Sequence, residues 1–311
     1  MDRTDELKII LITRQTRLEE LVHRFNTVGQ ARFYIEHLGA DFREYENEHE
    51  AYGAALRLTC ERLRHYGRLQ TIERSFLPNF IFGPSDMAVV LGQDGLVANA
   101  LKYLKGRGVI AINPDPARYD GVLLPFRVED VDKIARDVID GRRTMREITM
   151  AKAELDNGQS LYAVNDLFIG QRTHTSARYE LKVNGVAEKQ SSSGIIVSTG
   201  LGSTGWLKSI IAGAAGVGRA FVKDFKVGGL GDFKWESNYL YYTVREPFPS
   251  RTSSASLIFG RIEAGKPMEI VSAMPENGVM FSDGIESDFL EFASGTRATI
   301  RVAEEKGFLI V

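Results

Sequence analysis

Gly92-Gln93-Asp94-Gly95 sets one carboxylate in a glycine-flanked turn. Glycines let a backbone come close to a ligand, and a carboxylate beside such a turn is electrostatically wrong for merely holding a phosphate. Its chemistry would be metal coordination or abstraction of a proton from an attacking hydroxyl. The alternative is a turn residue near a helix start, favoured as a cap by about 0.5–2 kcal/mol over alanine. Arg14 follows an apolar run and is placed to meet a phosphate, or is a solvated surface charge. The stiff loop Asn113-Pro-Asp-Pro-Ala-Arg-Tyr-Asp-Gly121 offers Asn113, Asp115 and Arg118 to a nucleotide, or is a proline-fixed turn. Asn165-Asp166 interrupts the apolar run LYAVNDLFI. Adjacent strand residues point to opposite faces, so at least one of the two is expected to bind something. The small, hydroxyl-rich stretch ending in Trp206 permits close approach to a nucleotide, with an aromatic face for a ring; as an isolated pattern it equally suits a surface loop. Gly213-Ala-Ala-Gly-Val-Gly218 has its glycines in the wrong order for G-x-G-x-x-G and no preceding strand, so a mobile loop is expected there.

The elements that must hold these groups can be read from hydrophobic period. Met87–Leu91 is a continuous β-branched run, the pattern of a strand covered on both faces. From Leu96 the period changes: Leu96, Ala100 and Tyr103 share one helical row, and Val97, Leu101 and Leu104 the next. A turn after a parallel strand that opens a helix presents free N–H groups and the positive end of the helix dipole at the carboxyl edge of the sheet. Leu7–Thr13 reads as a first strand, followed by helical spacing at Leu18, Leu21, Val22 and Phe25. A polar helix is expected from about Glu46 to His65, with Cys60 as a packed side chain rather than a nucleophile. Leu69–Ile72 and Val109–Asn113 read as further strands. Such alternation implies a parallel sheet with right-handed crossovers. Arg127–Asp140 reads as an amphipathic connector helix; beyond Gly141 come many short alternating strands, with a type I′ hairpin signal at Asn184-Gly185. The expected fold is therefore an α/β domain with a parallel sheet over residues 1–126, and a connector helix plus an all-β sandwich over 127–311.

Composition narrows the function. The 311 residues suit two domains, and 43% hydrophobic with 26% charged residues is ordinary for a globular protein. A net charge of −2 argues against nucleic-acid binding as the main task. One cysteine excludes an intramolecular disulfide, and five scattered histidines show no zinc-ligand spacing, so no protein-held metal is read. The charged start MDRTDELK does not suit a signal peptide, and no apolar run reaches the roughly 18 residues of a membrane span. A cytoplasmic protein with no membrane partner is expected.

Taken together and in this order, the motifs resemble the ATP-dependent NAD kinase family, whose α/β domain is of the NAD kinase/diacylglycerol kinase type. The Asp94 turn is similar to the family's GGDGT motif, Asn165-Asp166 to its asparagine–glutamate pair, and Gly202-Ser-Thr-Gly-Trp206 to its GSTAY segment. INPDPARYDG, NDLFIG, EKQSSSG, the Thr-Gly-x-Gly-Ser pattern and YYTVREPFPSR resemble the mitochondrial-type branch. The resemblance implies that Asp94 engages the 2′-hydroxyl of the NAD adenosine ribose as base or orienting group. Gly92, Gln93, Gly95 and Arg14 would form the phosphoryl-donor side. Asn113, Asn165, Asp166, Ser203, Thr204 and Trp206 would line the NAD side. Mg²⁺ and ATP or another phosphoryl donor are implied, with a homodimer or higher homo-oligomer expected. Two other readings stand beside it: a non-catalytic NAD or nucleotide sensor, and a sugar or lipid kinase of the same superfold. The sequence departs from the family at Gln93 and Leu96, where GGDGT has glycine and threonine. If position 93 takes a positive φ, glutamine there costs about 1–2 kcal/mol. Asp166 is one methylene shorter than the family's glutamate, and Gly205 replaces an alanine.

Overall fold

The computed structural model describes residues 7–311. Two compact units emerge, one formed by residues up to Arg146 together with Phe308–Val311, the other by Glu147–Gly307. The division falls at 146/147, later than the 126/127 expected from the change in strand pattern. The connector helix packs with the first unit because its apolar stripe, Val131, Ile134 and Ala135, joins that unit's core.

In the first unit, β1 (Lys8–Thr13) leads through α1 (Arg17–Phe25), α2 (Val28–His37) and the long α3 (Arg43–Leu63) to β2 (Arg68–Glu73). Then follow β3 (Met87–Leu91), α4 (Asp94–Leu101), β4 (Gly108–Asn113), β5 (Phe126–Arg127) and α5 (Val131–Ile139). The strands run parallel in the order β2-β1-β3-β4. Ile9–Ile12 and Met87–Leu91 are buried throughout, as their unbroken apolar runs require. Beyond β4 the sheet is completed by β5 at one end and by Phe308 and Leu309 at the other, both parallel. Cys60 is half-buried against this core as a packed side chain.

The second unit is a sandwich. One sheet contains β6 (Met145–Leu155), β7 (Ser160–Ala163), β9 (Ala177–Val183), β10 (Val186–Ser192), β14 (Met268–Ser272) and β17 (Arg297–Ile310). The other contains β8 (Asp166–Gln171), β11 (Ile195–Ser198), β12 (Tyr239–Val244), β13 (Phe259–Glu263), β15 (Gly278–Ser282) and β16 (Ile285–Glu291). Alternate residues of both sheets, among them Leu167, Leu181, Val197, Tyr242, Ile270 and Ile300, meet in one core. Asn184 and Gly185 take φ of 50° and 82° and join Val183 to Val186 in register, the type I′ hairpin expected.

One expectation fails here: Gly213–Gly218 is not a mobile loop but lies within α6 (Trp206–Phe221). The intervening Ala212, Ala214 and Ala215 are strong helix formers that carry the chain across the glycines. Gly218 has a packing reason as well, since a Cβ there would stand 2.3 Å from the Phe225 ring. Among the described residues, no helix is long and apolar enough to cross a membrane.

Candidate functional site

The helix opened by the Asp94 turn starts two residues earlier than the apolar period suggests. Gln93 is the N-cap residue and Asp94 the first helical residue, because the Leu96 and Val97 N–H groups already bond the Gln93 carbonyl. Asp94 therefore sits where helix N–H groups lack intrahelical acceptors and the dipole favours negative charge. Its Oδ1 accepts the backbone N–H of Leu123 at 2.6 Å, which fixes the half-buried carboxylate against the loop after β4. Gly92 is buried, and a Cβ there would lie 2.7 Å from Leu96 Cδ2, so the glycine and the leucine below it are a matched pair. Gly95 is exposed with open space where a Cβ would be, which leaves room for a ligand against the backbone. Gln93 has φ −100° and ψ 168°, ordinary extended backbone, so the strain considered for a glutamine at this position does not exist.

Two expected ligand residues are otherwise engaged. Arg14 places Nη2 2.6 Å from Glu48 Oε1 and 3.0 Å from the Tyr119 hydroxyl, and Nη1 2.9 Å from the Gln15 carbonyl. Its guanidinium also lies over the Tyr52 ring. Glu48 is 2% exposed, so this is a buried pair whose charges cancel, and no net positive charge is offered to a phosphate. Glu48 and Tyr52, one turn apart on α3, in fact tie the sheet edge together: Tyr52 accepts the Arg14 N–H and donates to the Leu91 carbonyl just before the Asp94 turn. Asn113 is likewise structural in geometry. Its Nδ2 donates to the Tyr119 carbonyl and its Oδ1 accepts the Asp115 N–H, closing the proline loop on itself. Gly121, at φ +71°, permits this; a Cβ there would meet Asn113 Nδ2 at 2.9 Å.

In the sandwich, the interruption between β7 and β8 is a built feature. The Val164–Asp166 segment is crossed by residues 199–202: Thr199 donates its N–H to the Asn165 carbonyl and its hydroxyl to the Val164 carbonyl. A Cβ at Gly202 would stand 2.2 Å from the Asn165 carbonyl oxygen, so only glycine allows this approach. Asp166 Oδ1 is cut off from solvent and has no hydrogen-bond partner. Burial pushes the Asp166 carboxyl up to about 7; a Ser198 hydrogen bond works against this, and the neighbouring Asp283 carboxylate adds to it. An orphaned acceptor of this kind fits a ligand hydroxyl, which would supply the missing donor.

Ser203 is half-buried with its hydroxyl on the Gly200 carbonyl, and Thr204 is exposed. Trp206 is not a free platform. Its ring stacks on Phe168 with centroids 5.9 Å apart and planes within 5°, and the Arg245 guanidinium lies over it. Asp283 is a residue the sequence reading missed. Its carboxylate accepts the N–H groups of Val164, Asn165 and Asp166. The available signal was the Asp283-Gly284 dipeptide, a hairpin turn of the same kind as Asn184-Gly185. Among the described residues, no group of three or more His, Cys, Asp or Glu side chains could hold a metal ion.

No protein-family model matches the chain. It is 32% identical over 133 residues to an NAD kinase of Cupriavidus pinatubonensis, covering 40% of this chain and 43% of that protein. It is 31% identical over 130 residues to an NAD kinase of Methylococcus capsulatus, covering 40% and 45%. To NAD kinase 2 of Geobacillus kaustophilus it is 25% identical over 130 residues, covering 40% and 48%. The chain thus spans less than half the length of these relatives. In fold it is similar to an NAD kinase from Archaeoglobus fulgidus solved with ATP, at TM-score 0.55 and 16% identity over 97% of this chain and 92% of that one. A yeast NADH kinase solved with NADH gives TM-score 0.57 and 16% identity over 98% and 83%. The resemblance to NAD kinases carried by the motifs is borne out, and the α/β-plus-sandwich fold is that of the solved kinases. These relatives do not single out the mitochondrial-type branch.

Proposed function

We propose that this chain is an NAD kinase: it transfers a phosphoryl group from ATP or a related donor to the 2′-hydroxyl of the NAD adenosine ribose, giving NADP. The observation that carries the reading is Asp94, a carboxylate held by the Leu123 N–H at the opening of α4, beside the open backbone of Gly95. In this role Asp94 takes the proton of the attacking hydroxyl as its oxygen bonds the terminal phosphorus and the bond to the leaving diphosphate breaks. Gly92, Gln93 and Gly95 shape the donor side. Asn165 and Asp166 hold ribose hydroxyls, Asp166 through its unpartnered Oδ1, and Ser203 and Thr204 border the dinucleotide. Arg14 and Asn113 are left out of the machinery and act as supports of the sheet edge.

Mg²⁺ belongs to the proposal and would arrive on the phosphates of the donor, since that ion is commonly held by one or two carboxylates plus substrate oxygens rather than by a protein cage. Its chemistry would be neutralisation of charge on the transferred group. A cytoplasmic location and a homo-oligomeric state are further parts of the reading, the second open to light scattering. The test is direct: purified chain, NAD, Mg²⁺ and a panel of ATP, other nucleoside triphosphates and polyphosphate. NADP formation that stops on chelation is the expected result. NAD binding by calorimetry without NADP from any donor would turn the reading into a sensor, and absence of both would end it.

A further inference from the structure

We infer that Asp283 is a positioning residue for the dinucleotide site, holding the Asn165–Asp166 pair in its binding geometry from a hairpin 118 residues away in sequence. The inference rests on the proposed role of that pair.

The chain bends at Val164 and Asn165 between β7 and β8, so their N–H groups, and that of Asp166 at the first position of β8, need acceptors. One carboxylate serves all three. Asp283 Oδ1 lies 2.7 Å from the Asn165 N and 3.2 Å from the Asp166 N, and Oδ2 lies 3.1 Å from the Val164 N. In return the Asp283 N–H donates to the Asp166 carbonyl at 2.9 Å. The hairpin fixes the carboxylate: Ser282 pairs with Ile285 across a two-residue turn, with Asp283 at φ 54° and Gly284 at φ 73°. A type I′ turn of this kind joins strands directly and admits Asp, Asn or Gly at its first central position.

This cradle does more than satisfy the backbone. It also sets a negative charge beside the Asp166 carboxyl. The groups that act on the Asp166 carboxyl are thus one charge, Asp283 from the β15–β16 turn, and one neutral donor, the Ser198 hydroxyl from β11. An ionised carboxylate accepts a hydroxyl more strongly than a neutral one, so NAD affinity rises with pH through the Asp166 titration, which burial raises and the Asp283 charge raises further.

Two substitutions separate positioning from folding. Asp283→Gly deletes the acceptor while suiting the positive φ, and Asp283→Asn keeps one acceptor oxygen and removes the charge. By calorimetry at pH 8, Asp283→Gly is expected to weaken NAD about tenfold or more, and Asp283→Asn less. In both variants the midpoint of NAD affinity against pH moves to lower pH. Under turnover the loss falls on the KM for NAD more than on kcat. Lower melting temperatures with unchanged Kd and unchanged pH midpoint would make Asp283 a structural cap only and overturn the inference. Failure of the parent chain to bind NAD would remove the functional reading and this inference with it, a result distinct from a parent that binds and variants that bind equally well.

Discussion

Asp94 receives the Leu123 N–H through an oxygen that asparagine also possesses, so Asp94→Asn isolates the charge. Fold and NAD affinity are expected to persist while turnover drops at least about 10²-fold, the scale of a positioned base; near-parental turnover would remove Asp94 from the chemistry. Asp166 gives a second test at this scale. Its carboxyl titrates near 7 in the folded chain but in the ordinary carboxylate range when unfolded. Between about pH 4 and pH 7 the folded state therefore holds a proton the unfolded state has lost, and stability falls as pH rises across that window. Asp166→Asn removes this penalty: urea unfolding should find the variant more stable than the parent at pH 8 and equal to it near pH 4, while its NAD affinity is reduced. Equal stabilities at both pH values would contradict the buried-carboxyl assignment. The carboxylate at the turn was legible from residue order alone. The pairing of Arg14 with Glu48, and the clamp from Asp283, depend on chain folding over 34 and 118 residues, which no local pattern records.

At the scale of elements, the strand–turn–helix unit around Asp94 and the Asn184-Gly185 hairpin were readable because period and turn chemistry are local. The second half of α6 was not, because three glycines argued against a helix that its alanines sustain. The three glycines differ in surroundings: a Cβ at Gly213 or Gly216 meets nothing, whereas at Gly218 it meets Phe225. Gly213→Ala and Gly216→Ala should each stabilise by about 0.5–1 kcal/mol and Gly218→Ala should destabilise, as read by thermal unfolding. In α4, Leu96 is buried beneath Gly92 while Gln93 is exposed. Leu96→Thr is thus expected to cost roughly 2 kcal/mol of stability. Gln93→Gly alone should carry the change in donor KM, about tenfold. Identical donor kinetics in Gln93→Gly would place the donor away from this turn.

Across the whole molecule, the first unit is discontinuous: its sheet receives Phe308 and Leu309, and Ile310 enters its core. Leu309 and Ile310 are nearly fully buried, each worth about 1.5–3 kcal/mol. Removing 308–311 should therefore lower the stability of the first unit by several kcal/mol, visible as early protease cleavage within residues 7–146. That closing segment also orders events in time. A ribosome releases the chain from its amino end, so every residue of the sandwich has emerged before the strand piece that completes the α/β unit. In order of synthesis the sandwich is complete at residue 307, whereas the unit begun first lacks its last strand piece until residues 308–311 are added. Released chains truncated after residue 307 should show a protected sandwich and a protease-sensitive α/β unit, and equal protection of both would refute this order.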